Sequence, residues 1–205
     1  MIKRNQNNGL LLVLGVVISS GLLSGCFFAP REAADPATGT TVNYLDKISS
    51  ANVWANLEKS LEAIHAPGWE DNISQDTFIY IPDTDAENKF PGVFPTWDRE
   101  KEVSFINNFY NSGVTITAQI KNDEFIVPPD SGTQVEWENV IYDLTVTNNA
   151  DNSVTRYRGS AIITFRLESN FWYIYQWRDQ QGESDPGTGQ PLPSMGVLRG
   201  TFASK

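Results

Sequence analysis

The stretch FWYIYQWRD, Phe171 to Asp179, sets a carboxylate two residues beyond Trp177 and four beyond Tyr175. Side chains of an extended strand alternate, so an unbroken strand puts all three on one face. A carboxyl group enclosed by aromatic rings loses hydration, its charged form is disfavoured, and it can then exchange a proton near neutral pH. Asp179, with a tyrosine as hydrogen-bond donor, is therefore the candidate catalytic group. Asp98, in TWDRE, is the second, although its place at the start of a helical run suits capping better. The structural alternative for Asp179 is an ion pair with Arg166, Arg178 or Arg199, or acceptance of a tryptophan N–H. That alternative is the preferred reading, because structural networks also set acids beside aromatic rings. Tyr80, Trp97, Tyr175 and Trp177 are the candidate pocket residues. Trp137, Tyr142 and Trp172 extend the same aromatic set, most of which fills the core where a sheet packs on helices.

No metal or cofactor is expected. His65 is the sole histidine and Cys26 the sole cysteine, so the clustered ligands of a zinc or non-haem iron site are missing. A serine triad would need His65 as its base, and that residue falls at a helix end, where capping or exposure suits it. Glu124, Glu136 and Glu138 read as a solvated acidic face without the spacing of a calcium loop.

Cys26 has other chemistry. A basic lead with Lys3 and Arg4, an apolar stretch from Leu10 to Leu23 and the small pair Ser24-Gly25 precede it, which is the layout of a secretory signal peptide. The apolar stretch is short of the ~20 residues a spanning helix needs. Leu23-Ser24-Gly25-Cys26 resembles the lipobox of bacterial lipoproteins. The resemblance implies that the thiol receives a diacylglyceryl group, that the chain is cut before Cys26, and that the mature protein is tethered to the cell envelope. Several acyl chains anchor durably where one does so marginally, at ~0.8 kcal/mol per buried methylene. In such proteins an aspartate after the cysteine favours retention at the inner membrane; here Phe27 stands there, which implies the outer membrane in a two-membrane organism and otherwise the outer face of the cell membrane.

Loss of residues 1–25 removes Lys3 and Arg4 and leaves 13 basic against 25 acidic residues, a formal charge of -12. Such a surface repels phosphate backbones, so nucleic acid is excluded as a partner. With Cys26 lipidated no disulfide can form within the chain, and the fold rests on its core.

Residues 26–44 are rich in Pro, Ala, Gly and Thr and read as a lipidated spacer. From 45 to 205 one domain is expected. Val53, Leu57, Leu61 and Ile64 recur at helical spacing, capped by Ser49 or Ser50 and ended by Pro67-Gly68. TFIYIP, 77–82, is a strand, followed by a loop to Thr96. Val103, Ile106 and Tyr110 stripe a second helix over 97–110, with Asp98, Glu100 and Glu102 at its positive end. Strands follow over about 114–127, 134–148, 154–168 and 171–180, joined by short linkers as antiparallel hairpins. MGVLRGTF, 195–202, reads as a last short strand.

Helix, short strand, helix and long antiparallel meander, carried by ANVWANLEKSLEAI, DTFIYIP, WDREKEVSFINNFY and FWYIYQWRDQ, resemble the nuclear transport factor 2-like superfamily, which includes SnoaL-like proteins and ketosteroid isomerases. The resemblance implies an α+β fold in which a strongly bent antiparallel sheet wraps two or three N-terminal helices as a cone, and it admits a homodimer through the open sheet face. A lipocalin-like barrel needs eight strands and no leading helices. Three functions fit. The first is a tethered, non-catalytic domain that binds a small apolar ligand or an envelope protein. The others are a SnoaL-like isomerase, dehydratase or hydrolase using a pocket carboxylate, and a structural envelope protein. An enzyme should hold a free Asp179 in a cavity, a binding module a closed apolar pocket without an acid, and an interaction module a filled cone with an exposed apolar patch.

Overall fold

The computed structural model describes residues 42–119 and 127–203. Cys26, the signal-peptide segment and most of the spacer lie outside the described residues. In chain order the elements are α1 (Ser50–Glu62), α2 (Ala66–Asn72), β1 (Ile79–Ile81), α3 (Thr84–Lys89), α4 (Arg99–Tyr110), β2 (Val114–Gln119), β3 (Gln134–Asn148), β4 (Val154–Glu168), β5 (Phe171–Gly182) and α5 (Met195–Phe202). The sheet runs β1-β5-β4-β3-β2. Strands β2 to β5 pair as consecutive antiparallel neighbours, and β1 adds to β5 in parallel.

Three irregularities bend this sheet. Strand β3 carries one extra residue between Trp137 and Val140, at Asn139 with φ 55°; β5 carries extra residues opposite the Ser160/Ala161 and Thr164/Phe165 steps of β4. A bulge kinks its strand and sharpens the local twist, so three of them curl the long meander. Trp54 of α1 occupies the hollow, with ring centroids 6.0 Å from Trp137, 6.5 Å from Phe165 and 5.5 Å from Trp177, one on each of three strands. On α4, Phe105, Ile106 and Phe109 are wholly buried, and Phe109 meets Phe202 of α5 at 5.0 Å. The α+β class with a bent antiparallel sheet around helices is the one observed.

The details depart from expectation where capping overrode pattern. Helix α1 stops at Glu62, and Ile64 takes φ 51°, so Pro67-Gly68 opens α2 instead of closing α1. Proline suits a first helical turn, whose N–H groups have no helical acceptor. His65 caps α2: its Nδ1 accepts from Gly68 N at 3.1 Å and lies within hydrogen-bond distance, 2.8 Å, of the Tyr44 hydroxyl. Asp83 caps α3 inside the expected loop. Residues 195–202 form a helix and not a strand, because the Ser194 side chain accepts from Val197 N and the run is buried nearly all round. The far part of the expected 114–127 strand falls on residues 120–126, outside the described set.

Candidate functional site

Strand β1 alternates Ile79 and Ile81 outward with Tyr80 inward, and Tyr80 pairs with Trp177 of β5. This register brings both polar tips onto Asp179. The Tyr80 hydroxyl donates to Oδ2 at 2.6 Å and Trp177 Nε1 donates to Oδ1 at 2.7 Å. Asp179 is 4% exposed. Burial pushes its carboxyl up to about 6, while the Arg199 charge and the two hydrogen bonds pull it down and Asp83 adds to the rise. Burial, then Asp179, pushes the Tyr80 hydroxyl well above its ordinary range. Asp179 is thus a buried acceptor with both oxygens engaged.

Behind it lies an ion pair. Glu102 of α4 and Arg199 of α5 are both at 0% exposure. Arg199 donates through Nη2 to Oε1 at 2.8 Å and through Nε to Oε2 at 2.9 Å, while Trp97 Nε1 and Trp69 Nε1 donate to the same carboxylate at 2.7 and 3.2 Å. The guanidinium carbon stands 4.0 Å from the Tyr80 ring centroid, 4.8 Å from Trp177 and 5.5 Å from Phe105. Burial works against the Arg199 charge, and Glu102, Tyr80 and Asp179 together more than offset it. A third polar knot ties the helix ends: Asp83 Oδ1 accepts from the N–H groups of Asp85 and Ala86, its Oδ2 accepts from the Ser194 hydroxyl, and Tyr142 Oη accepts from Met195 N at 2.8 Å. Among the described residues the cone is filled with aromatic rings and paired charges.

Open space lies outside the cone. A cleft of about 660 Å³ runs between β1 and the 90–98 segment, lined by Phe78, Ile79, Ile81, Phe90, Phe94 and Pro95, with Tyr80 and Trp97 also in its wall. Glu87 and Asp98 are its charged lining residues. Asp98 also caps α4 by accepting from Lys101 N at 3.1 Å.

The four pocket candidates therefore separate. Tyr80 and Trp97 line the cleft, Trp177 sits inside the cone, and Tyr175 lies on the other side of the sheet, where the Arg166 guanidinium stacks 3.4 Å from its ring centroid. The expected alternation fails because Thr164 pairs with Gln176 but Phe165 with Ile174. Tyr175 is skipped, and the inward set passes from Trp172 and Ile174 to Trp177 and Asp179. Nothing in the sequence pairs Glu102 with Arg199, although each leaves a signal: Glu102 shares a helical stripe with Phe105, Ile106 and Phe109, and Arg199 interrupts an apolar run. Among the described residues no group of three or more His, Cys, Asp or Glu could hold a metal ion, and no helix is long and apolar enough to cross a membrane.

Neither a protein-family model nor a curated protein matches the chain. Solved structures do. A candidate aromatic ring hydroxylase from Novosphingobium aromaticivorans shares 11% identity at a TM-score of 0.51, over 66% of this chain and 87% of its own. A nuclear transport factor 2-like protein of unknown function from Pseudomonas putida gives 10% and 0.47 over 69% and 89%, and a ketosteroid isomerase-like protein from Erwinia carotovora atroseptica gives 14% and 0.45 over 63% and 91%. At such identities the likeness concerns the fold and not the activity. Helices leading into a bent antiparallel meander make this a cone-like α+β fold.

Proposed function

We propose that this chain is a lipid-tethered, non-catalytic binding domain of the bacterial cell envelope, and that the cleft beside β1 takes an apolar group, from a small ligand or from a protein partner. One observation carries the reading: the cone interior is filled, both oxygens of Asp179 are committed to Tyr80 and Trp177, and open apolar space lies instead at the sheet edge. A general acid must reach the proton it transfers, and Asp179 faces donors of its own protein. The cleft's volume falls within the several hundred Å³ usual for ligand sites, and its walls are chiefly apolar.

Phenylnaphthylamine, a neutral apolar fluorophore, should bind the full chain saturably. Ile81→Asp, at a 36% exposed position, should weaken that binding about tenfold, as expected for losing roughly 1.4 kcal/mol of apolar contact. Its melting temperature should stay near the parent's. Binding that is absent, or indifferent to Ile81→Asp, would refute the cleft. The tether rests on the apolar run, the small pair and Cys26. Cys26→Ser should leave an uncleaved, unlipidated precursor in the producing cell; an unchanged mature terminus by intact mass would sink it.

A further inference from the structure

The site inside the cone has the chemistry of a receptor. A carboxylate accepts two hydrogen bonds from a guanidinium, two indole N–H groups hold that carboxylate, and three aromatic rings stand within 5.5 Å of the guanidinium carbon. Paired carboxylate and ring faces recognise cations, the carboxylate by forked hydrogen bonds and the rings by their negative faces. The occupant, Arg199, comes from a helix that the rest of the domain supplies a berth for. Gly196 of α5 lies so near α3 that a Cβ there would stand 2.7 Å from Ala86 Cβ, and one at Gly200 would enter the Phe90 ring. The helix start is held by the Ser194–Asp83 and Met195–Tyr142 bonds. One edge of the guanidinium remains unused: Arg199 Nη1 is buried without a hydrogen-bond partner among the described residues.

We propose that the cone interior is a binding site for guanidinium-type cations, occupied in this chain by its own Arg199, so that α5 is a built-in ligand and closes the cone against external ones. The site shares Tyr80 and Trp97 with the wall of the edge cleft. Shortening Arg199 to alanine vacates the guanidinium's place while Glu102 and the rings stay, so the berth accepts methylguanidinium, which carries the same donors and charge.

The test is chemical rescue in the full chain. Arg199→Ala lowers the melting temperature, and methylguanidinium at about ten times its Kd should restore about 3 °C or more. The parent, whose site is filled, should show no rise. Methylurea, with the same shape and no charge, and sodium chloride at equal concentration should restore nothing, and R199A/E102Q should lose the response. Equal rescue by methylurea or salt, a rise in the parent, or rescue that survives Glu102→Gln overturns the proposal. Should R199A be unfolded, recovery of its near-UV circular dichroism with methylguanidinium is the same positive result, and failure to recover is the same refutation.

Discussion

Glu102→Ala lowers the melting temperature of the full chain by about 10 °C or more, the outcome expected when one partner of a buried ion pair is removed and about 3–5 kcal/mol is lost. The size follows from what remains. Arg199, at 0% exposure, keeps a charge with no acceptor, and the Trp69 and Trp97 N–H groups lose theirs. A packing defect alone would predict a smaller loss from so short a truncation on a surface-distant helix face. The double variant Glu102→Leu with Arg199→Met separates the causes: apolar side chains of similar volume remove both charges together, so it should melt much closer to the parent than Glu102→Ala does. A double variant as unstable as the single one would mean that the ion pair's cost is not one of orphaned charge.

The second large effect is a pH dependence. The carboxyl of Asp179 ordinarily titrates near 3.8, and in the folded protein near 6. Between those values the folded state binds the proton that the unfolded state releases. Stability from this group is therefore full below pH 3.8 and falls as pH rises through 6, by about 3 kcal/mol in all. Asp179→Asn carries no such charge at any pH. The parent's stability relative to this variant should fall between about pH 4 and about pH 7 in urea unfolding, then level off. Asp143 acts in the opposite sense, since the bonds from Arg156 and Arg158 outweigh its burial and hold it low, but it is common to both proteins and cancels in the difference. An asparagine accepts through one oxygen only, so one of Tyr80 and Trp177 must change its bond; that cost is independent of pH. Parallel stability curves for parent and variant would contradict the account.

How much of this could be read from residues alone varies with what each signal encodes. Strands β3 and β4 match their expected bounds because alternation and turn residues both report them; Ser169-Asn170, both at positive φ, is the two-residue hairpin turn that a short linker demands. Helices α2, α3 and α5 leave no legible pattern because each is set by one capping side chain, His65, Asp83 or Ser194, and is too short for apolar period to speak. Tyr175 faces opposite to what alternation predicts because a bulge depends on the partner strand and leaves no mark in its own sequence. Asp179 stands out in the sequence as an acid beside aromatics, but its hydrogen bond to Tyr80 joins residues 99 apart, and only the fold could bring them together.

Strand β1 is three residues long, and its outer side is not bare: the Tyr80 N–H is taken by the Trp97 carbonyl at 3.0 Å. At this margin a strand so short, with its central N–H already taken by its own chain, gives a neighbouring molecule little to pair with, so stacking of one sheet onto another is disfavoured along β1.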